Sequence, residues 1–131
     1  MINMPKETVA TTDAPGAIGP YSQAVKLGNI LYTSGQLGLD PVSGEFPATV
    51  EEQTERSLLN VKAILEAAGT SMDQVIKTTV FLKDMNDFLK VNEVYGAFFT
   101  QPYPARSAVE VARLPKDGLV EIEVIAYIPQ Q

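Results

Sequence analysis

Between residues 120 and 128 the chain alternates. Val120, Ile122, Val124, Ala126 and Ile128 are apolar, and Glu121, Glu123, Ile125 and Tyr127 stand between them. Side chains alternate across a strand, so this spacing predicts a strand at 119–128 with one face in a core and one mixed face. A longer period governs residues 50–68. Leu58, Val61, Leu65 and Ala68 recur at three- and four-residue intervals, which predicts an amphipathic helix. Thr49 and Glu52 have capping-box spacing at its start: the threonine would cap the amide three residues on, and Glu52 would reach back. Gly69 stands where a left-handed cap belongs. Phe88, Val91, Val94, Tyr95 and Phe98 mark the buried face of a second helix, started by Asp84 with Asp87 and running to about Phe99. Pro102 and Pro104 end it.

Shorter runs supply the other elements. Residues 7–11 predict a short edge strand, and 13–20, with two Pro and two Gly, a loop. Runs at 22–27 and 30–34 flank Gly28-Asn29, the signal of a tight hairpin. Residues 35–47 are rich in Gly, Pro and Asp and are assigned to loop. The β-branched run at 75–83 is a strand, and so is 105–114, joined to 119–128 by the turn sequence Pro115-Lys116-Asp117-Gly118. The order β-β-β-α-β-α-β-β defines an α+β fold, one domain over 1–131, with both helices on one sheet face. The opposite face is left to be covered. Ile125 and Tyr127 beside Glu121 and Glu123 make it a partly buried environment suited to another subunit.

Composition narrows the chemistry. The net charge of −6, with no Lys/Arg-rich run, argues against a phosphate-backbone binder. There is no Cys, which excludes disulfides, thiol nucleophiles and thiolate metal sites. There is no His, which removes the usual general base and the commonest metal ligand. Catalysis would have to use carboxylates, Lys, Arg, Tyr, Ser, Thr, backbone amides or water. Residues 1–7 lack the basic start and apolar run of a signal peptide, and no run of about 18 apolar residues could span a bilayer. The expectation is a cytoplasmic protein without a membrane anchor.

Several segments together carry a family resemblance. They are Ala17-Ile18-Gly19-Pro20-Tyr21-Ser22-Gln23-Ala24, Leu31-Tyr32-Thr33-Ser34-Gly35-Gln36, residues 77–84, residues 91–95, and above all Pro104-Ala105-Arg106-Ser107 with residues 109–115. The chain resembles the Rid/YjgF reactive-intermediate deaminases over nearly its whole length. The Arg of Pro-Ala-Arg-Ser makes it most similar to the subgroup acting on 2-iminobutanoate and 2-iminopropanoate. The resemblance implies a chorismate-mutase-like fold and a homotrimer with active sites in clefts between subunits. It also implies hydrolysis of 2-imino acids to 2-keto acids and ammonia, with no cofactor and no metal.

Carried over residue by residue, the resemblance makes Arg106 the carboxylate anchor, a role that suits a planar, permanently charged guanidinium. Glu121 would activate the attacking water. Tyr21 would line the pocket, Ser34 and Gly35 would contact the substrate, and Asn92 would support the site. Ala108 stands where many relatives have Cys, so a thiol-dependent switch is not expected. Without the resemblance, Arg106 is an ordinary strand-edge cation and Glu121 an ordinary solvated carboxylate. Two other functions fit the same residues: a non-catalytic module binding 2-keto acids, and the ribonuclease activity attributed to some relatives, which the acidic charge and missing His disfavour.

Overall fold

A computed structural model describes residues 5–130, so the first four residues of the amino-terminal segment lie outside it. The strands are β1 (Glu7–Val9), β2 (Ala24–Leu27), β3 (Ile30–Thr33), β4 (Gln36–Leu37), β5 (Val75–Leu82), β6 (Ala105–Glu110) and β7 (Val120–Tyr127). The helices are α1 (Val50–Ala67) and α2 (Phe88–Gly96). They form one mixed sheet in the order β1-β2-β3-β7-β5-β6, with β4 also pairing with β7. The β5–β6 pair is parallel, with α2 as its crossover, and the other pairs are antiparallel.

The alternation seen in the sequence sets which face is which. Val120, Ile122, Val124 and Ala126 of β7 are buried in one core with Leu58, Val61, Ile64 and Leu65 of α1 and Val91 and Tyr95 of α2. Both helices therefore cover the even face of β7. Local signals hold as well. The Thr49 hydroxyl accepts from Glu52 N at 3.1 Å, and Glu52 reaches back to that hydroxyl at 3.0 Å. Gly28 takes a positive φ of 58° in the two-residue β2–β3 turn, a conformation that costs glycine little.

Four expectations need correction. The span 35–47 is not all loop: Gln36 and Leu37 form β4, so the order gains a fourth strand before α1. Strand β6 stops at Glu110 rather than 114, and α2 stops at Gly96 rather than 99. The Pro115–Gly118 turn does not close a hairpin, because β5 lies between β6 and β7.

Strand β4 has no local β pattern: it is set by pairing with β7 and by side chains of α1 that hold its backbone. Ser57 Oγ donates to Gln36 O at 2.7 Å, and Asn60 Nδ2 donates to Leu37 O at 3.1 Å and Leu39 O at 2.9 Å. Asn60 is wholly buried. Leucine at position 60 would leave both carbonyls without that donor in a dry site. Asn60→Leu is therefore expected to lower unfolding stability by about 2–4 kcal/mol, measured as an earlier urea midpoint at unchanged slope.

Candidate active site

Glu121 lies on the odd face of β7, away from the helices, level with Leu37 of β4 and Phe81 of β5. The break between β3 and β4 falls at Ser34 and Gly35 and brings the backbone against the Glu121 side chain. A Cβ on Gly35 would stand 2.7 Å from Glu121 Cδ and 2.8 Å from its Oε1. Only glycine leaves the carboxylate its place.

Around it is an open cleft of 680 Å³, lined by Tyr21, Ser34, Gly35, Ile18, Val42 and Lys116 among others. That size suits a small ligand. Tyr21 is held by a tight turn, with its N–H donating to Gly19 O at 2.9 Å. Ser34 Oγ donates to Ser22 O at 2.6 Å, so its proton is committed and the hydroxyl is left as an acceptor at the cleft wall.

The Glu121 carboxyl is half-buried and accepts no hydrogen bond among the described residues. Burial pushes its pKa above the ordinary carboxylate value, and the neighbouring Glu123 charge adds to the rise. The unfolded chain ionises this group at its ordinary pKa and the folded chain only higher. Between those values the folded state holds more protons, so stability falls as pH rises through that window. Glu121→Gln removes the titration. Its melting temperature is expected to match the wild type near about pH 4 and to exceed it near about pH 7.

Arg106 occupies a different place. It sits on the outer strand β6, level with Thr78, whose side chain faces α2 and bonds the Tyr95 hydroxyl at 2.8 Å. Arg106 lies on that same helix-side face. Its Nη1 donates to Asn92 Oδ1 at 2.7 Å, and its guanidinium carbon is 5.3 Å from the centre of the Phe88 ring and 4.8 Å from that of Tyr95. The single salt bridge among the described residues joins Arg113 and Asp117, so Arg106 has no carboxylate partner there. It opens on a hollow lined by Asn92, Tyr95, Tyr103 and Pro104.

The expected site residues thus fall into two groups. Tyr21, Ser34, Gly35 and Glu121 share one cleft, and Asn92 joins Arg106 in the other. The groups do not meet within one chain. Two strand spacings of about 4.8 Å and three residues of about 3.3 Å set the Arg106 and Glu121 Cα atoms roughly 14 Å apart, on opposite sheet faces. Sequence reasoning did not assign Phe88, Tyr95 or Lys116 to the site. For Phe88, Asn92 and Tyr95 a signal existed, since positions i, i+4 and i+7 share a helix face.

Among the described residues no group of three or more His, Cys, Asp or Glu could hold a metal ion, and no helix is long and apolar enough to cross a membrane.

A mixed sheet with two helices on one face has close counterparts. The family described as endoribonuclease L-PSP matches residues 11–128. The chain belongs to that family, which is the Rid/YjgF family its motifs resemble. It is 58% identical over 123 residues to the 2-iminobutanoate/2-iminopropanoate deaminase of Escherichia coli, covering 92% of this chain and 96% of that protein. A RutC family protein of Pyrococcus horikoshii is also 58% identical, over 93% of this chain and 98% of its own length. Among solved structures, E. coli TdcF with bound serine superposes with a TM-score of 0.90 at 52% identity, covering 94% of this chain and 99% of that one. The yjgF gene product of E. coli gives 0.89 at 56% identity, covering 92% and 98%.

Proposed function

We propose that the protein hydrolyses small 2-imino acids to 2-keto acids and ammonia, in sites that two copies of the chain build together within a homotrimer. The observation that carries this reading is Arg106: an exposed guanidinium, held in place and with no carboxylate partner among the described residues. The relative named for 2-iminobutanoate and 2-iminopropanoate supports the substrate class, and serine bound to TdcF supports a site that takes small amino-acid carboxylates.

Arg106 holds the substrate carboxylate through two parallel N–H donors. Glu121 of a neighbouring copy takes a proton from water as the oxygen adds to the imine carbon, and the imine nitrogen gains a proton. The resulting carbinolamine loses ammonia as its C–N bond breaks and the C=O bond forms. A raised pKa suits a carboxylate that must both accept and return this proton. Imines hydrolyse unaided, so positioning and one base supply the modest acceleration needed. No cofactor or metal is required by these steps.

The test couples the protein to threonine dehydratase, threonine and semicarbazide. The expected result is slower semicarbazone accumulation, because the imine is hydrolysed before it is trapped. Equal accumulation with and without the protein defeats the deaminase reading. Saturable 2-ketobutyrate binding under those conditions would favour the non-catalytic binding module instead.

A further inference from the structure

We infer that Phe88 and Tyr95 are positioning residues, whose rings fix the Arg106 guanidinium for a substrate carboxylate. This rests on Arg106 being the carboxylate anchor proposed above. An arginine on an exposed edge strand ordinarily samples many rotamers and must be ordered when it binds. Here three side chains of α2 leave it little freedom. Asn92 Oδ1 accepts from Nη1, while the two rings lie within cation–π range of the guanidinium carbon, at 5.3 Å for Phe88 and 4.8 Å for Tyr95. Positions 88, 92 and 95 share one face of α2, so a single rigid helix carries the whole support.

The Tyr95 ring is itself immobilised. Its hydroxyl bonds the Thr78 hydroxyl, and its ring stacks against Phe99 at 4.6 Å between centroids. Thr78 is the residue of β5 level with Arg106. The support therefore closes a circuit, from the Arg106 backbone through Thr78 and Tyr95 back to the Arg106 guanidinium. Asn92 uses one N–H, and the remaining N–H donors have no partner among the described residues. The cation is set in place before a ligand arrives, which lowers the ordering cost of binding.

Packing and electrostatics are separated by a fluorinated phenylalanine series at position 88. Fluorine drains the face of the ring with little change of shape, so these variants fold, and unchanged melting temperatures would show it. Calorimetric titration with 2-ketobutyrate is the readout. Affinity is expected to fall stepwise with fluorine number, by about two- to fivefold across the series, and Phe88→Leu is expected to fall at the end of it. Equal affinity across the series, with leucine as good as phenylalanine, overturns the inference. Wild-type affinity in Arg106→Ala, or no binding by the wild-type protein, overturns both it and the anchor. Graded binding with no turnover in the semicarbazide assay leaves the positioning role standing and removes the deaminase reading.

Discussion

Co-assembled chains of Arg106→Ala and Glu121→Gln are expected to regain activity that neither variant shows alone. Each variant by itself removes one group from every site. Loss of the base should cost at least about 100-fold in kcat/KM. Loss of the charged, hydrogen-bonded anchor should cost a similar factor. In a mixed assembly the Arg106→Ala chain still contributes Glu121, and the Glu121→Gln chain still contributes Arg106. Where those two surfaces face each other, the site is intact. Random assembly of an equal mixture makes about one quarter of the sites intact, because each side is drawn independently. Purification of the co-expressed, doubly tagged protein through both tags discards the homotrimers, and every mixed trimer keeps one intact site in three, so this material should show about a third of wild-type kcat/KM. Activity no higher than the mean of the two variants would mean that Arg106 and Glu121 do not work together across an interface. The expectation follows from placement: Arg106 lies on the helix side of β6 with Asn92, and Glu121 on the open side of β7 against Gly35.

That split shows what a sequence conveys. Alternation in β7 carried the core face directly, because burial of Val120, Ile122, Val124 and Ala126 is a local pattern of period two. The same alternation put Glu121 on the open face. Helix α1 was legible from its cap and apolar stripe, and the β2–β3 hairpin from its turn pair. What stayed hidden depends on pairings between distant segments. Strand β4 pairs with the distant β7, and Ser57 and Asn60 hold its backbone from α1; nothing in residues 35–47 records either contact. The insertion of β7 between β3 and β5 is a long-range choice, so the turn at Pro115 suggested a neighbour that β6 does not have. The roles proposed for Arg106 and Glu121 rest on the family resemblance. Their environments came from the fold: Phe88, Asn92 and Tyr95 are spaced for one helix face, yet only the parallel β5–β6 pairing brings that face over Arg106.

Gly35→Ala is expected to lower kcat by about 100-fold while leaving the protein as stable as the wild type. The backbone at Gly35 lies outside the left-handed region, so alanine meets no conformational penalty there. The obstacle is Glu121. The new Cβ would stand 2.7 Å from Cδ, 2.8 Å from Oε1 and 2.9 Å from Cγ. These atoms end a flexible side chain that no hydrogen bond restrains among the described residues, so the carboxylate moves and the sheet does not. A displacement near 1 Å takes the base out of line with its water, which is where a loss of that size arises. Stability should hold or rise slightly, since alanine restricts the unfolded chain. Binding of 2-ketobutyrate through Arg106 should change little. Gly38→Ala is the contrasting case: its Cβ would lie 2.3 Å from Gln53 O and 2.7 Å from Gln53 Cα, and that backbone belongs to α1. A helix cannot swing aside as a carboxylate can. Gly38→Ala should therefore lower the melting temperature and lose activity only as the fold is lost. If Gly35→Ala instead kept wild-type kcat at wild-type stability, the position of the Glu121 carboxylate would not govern the chemistry, and its role as base would fall.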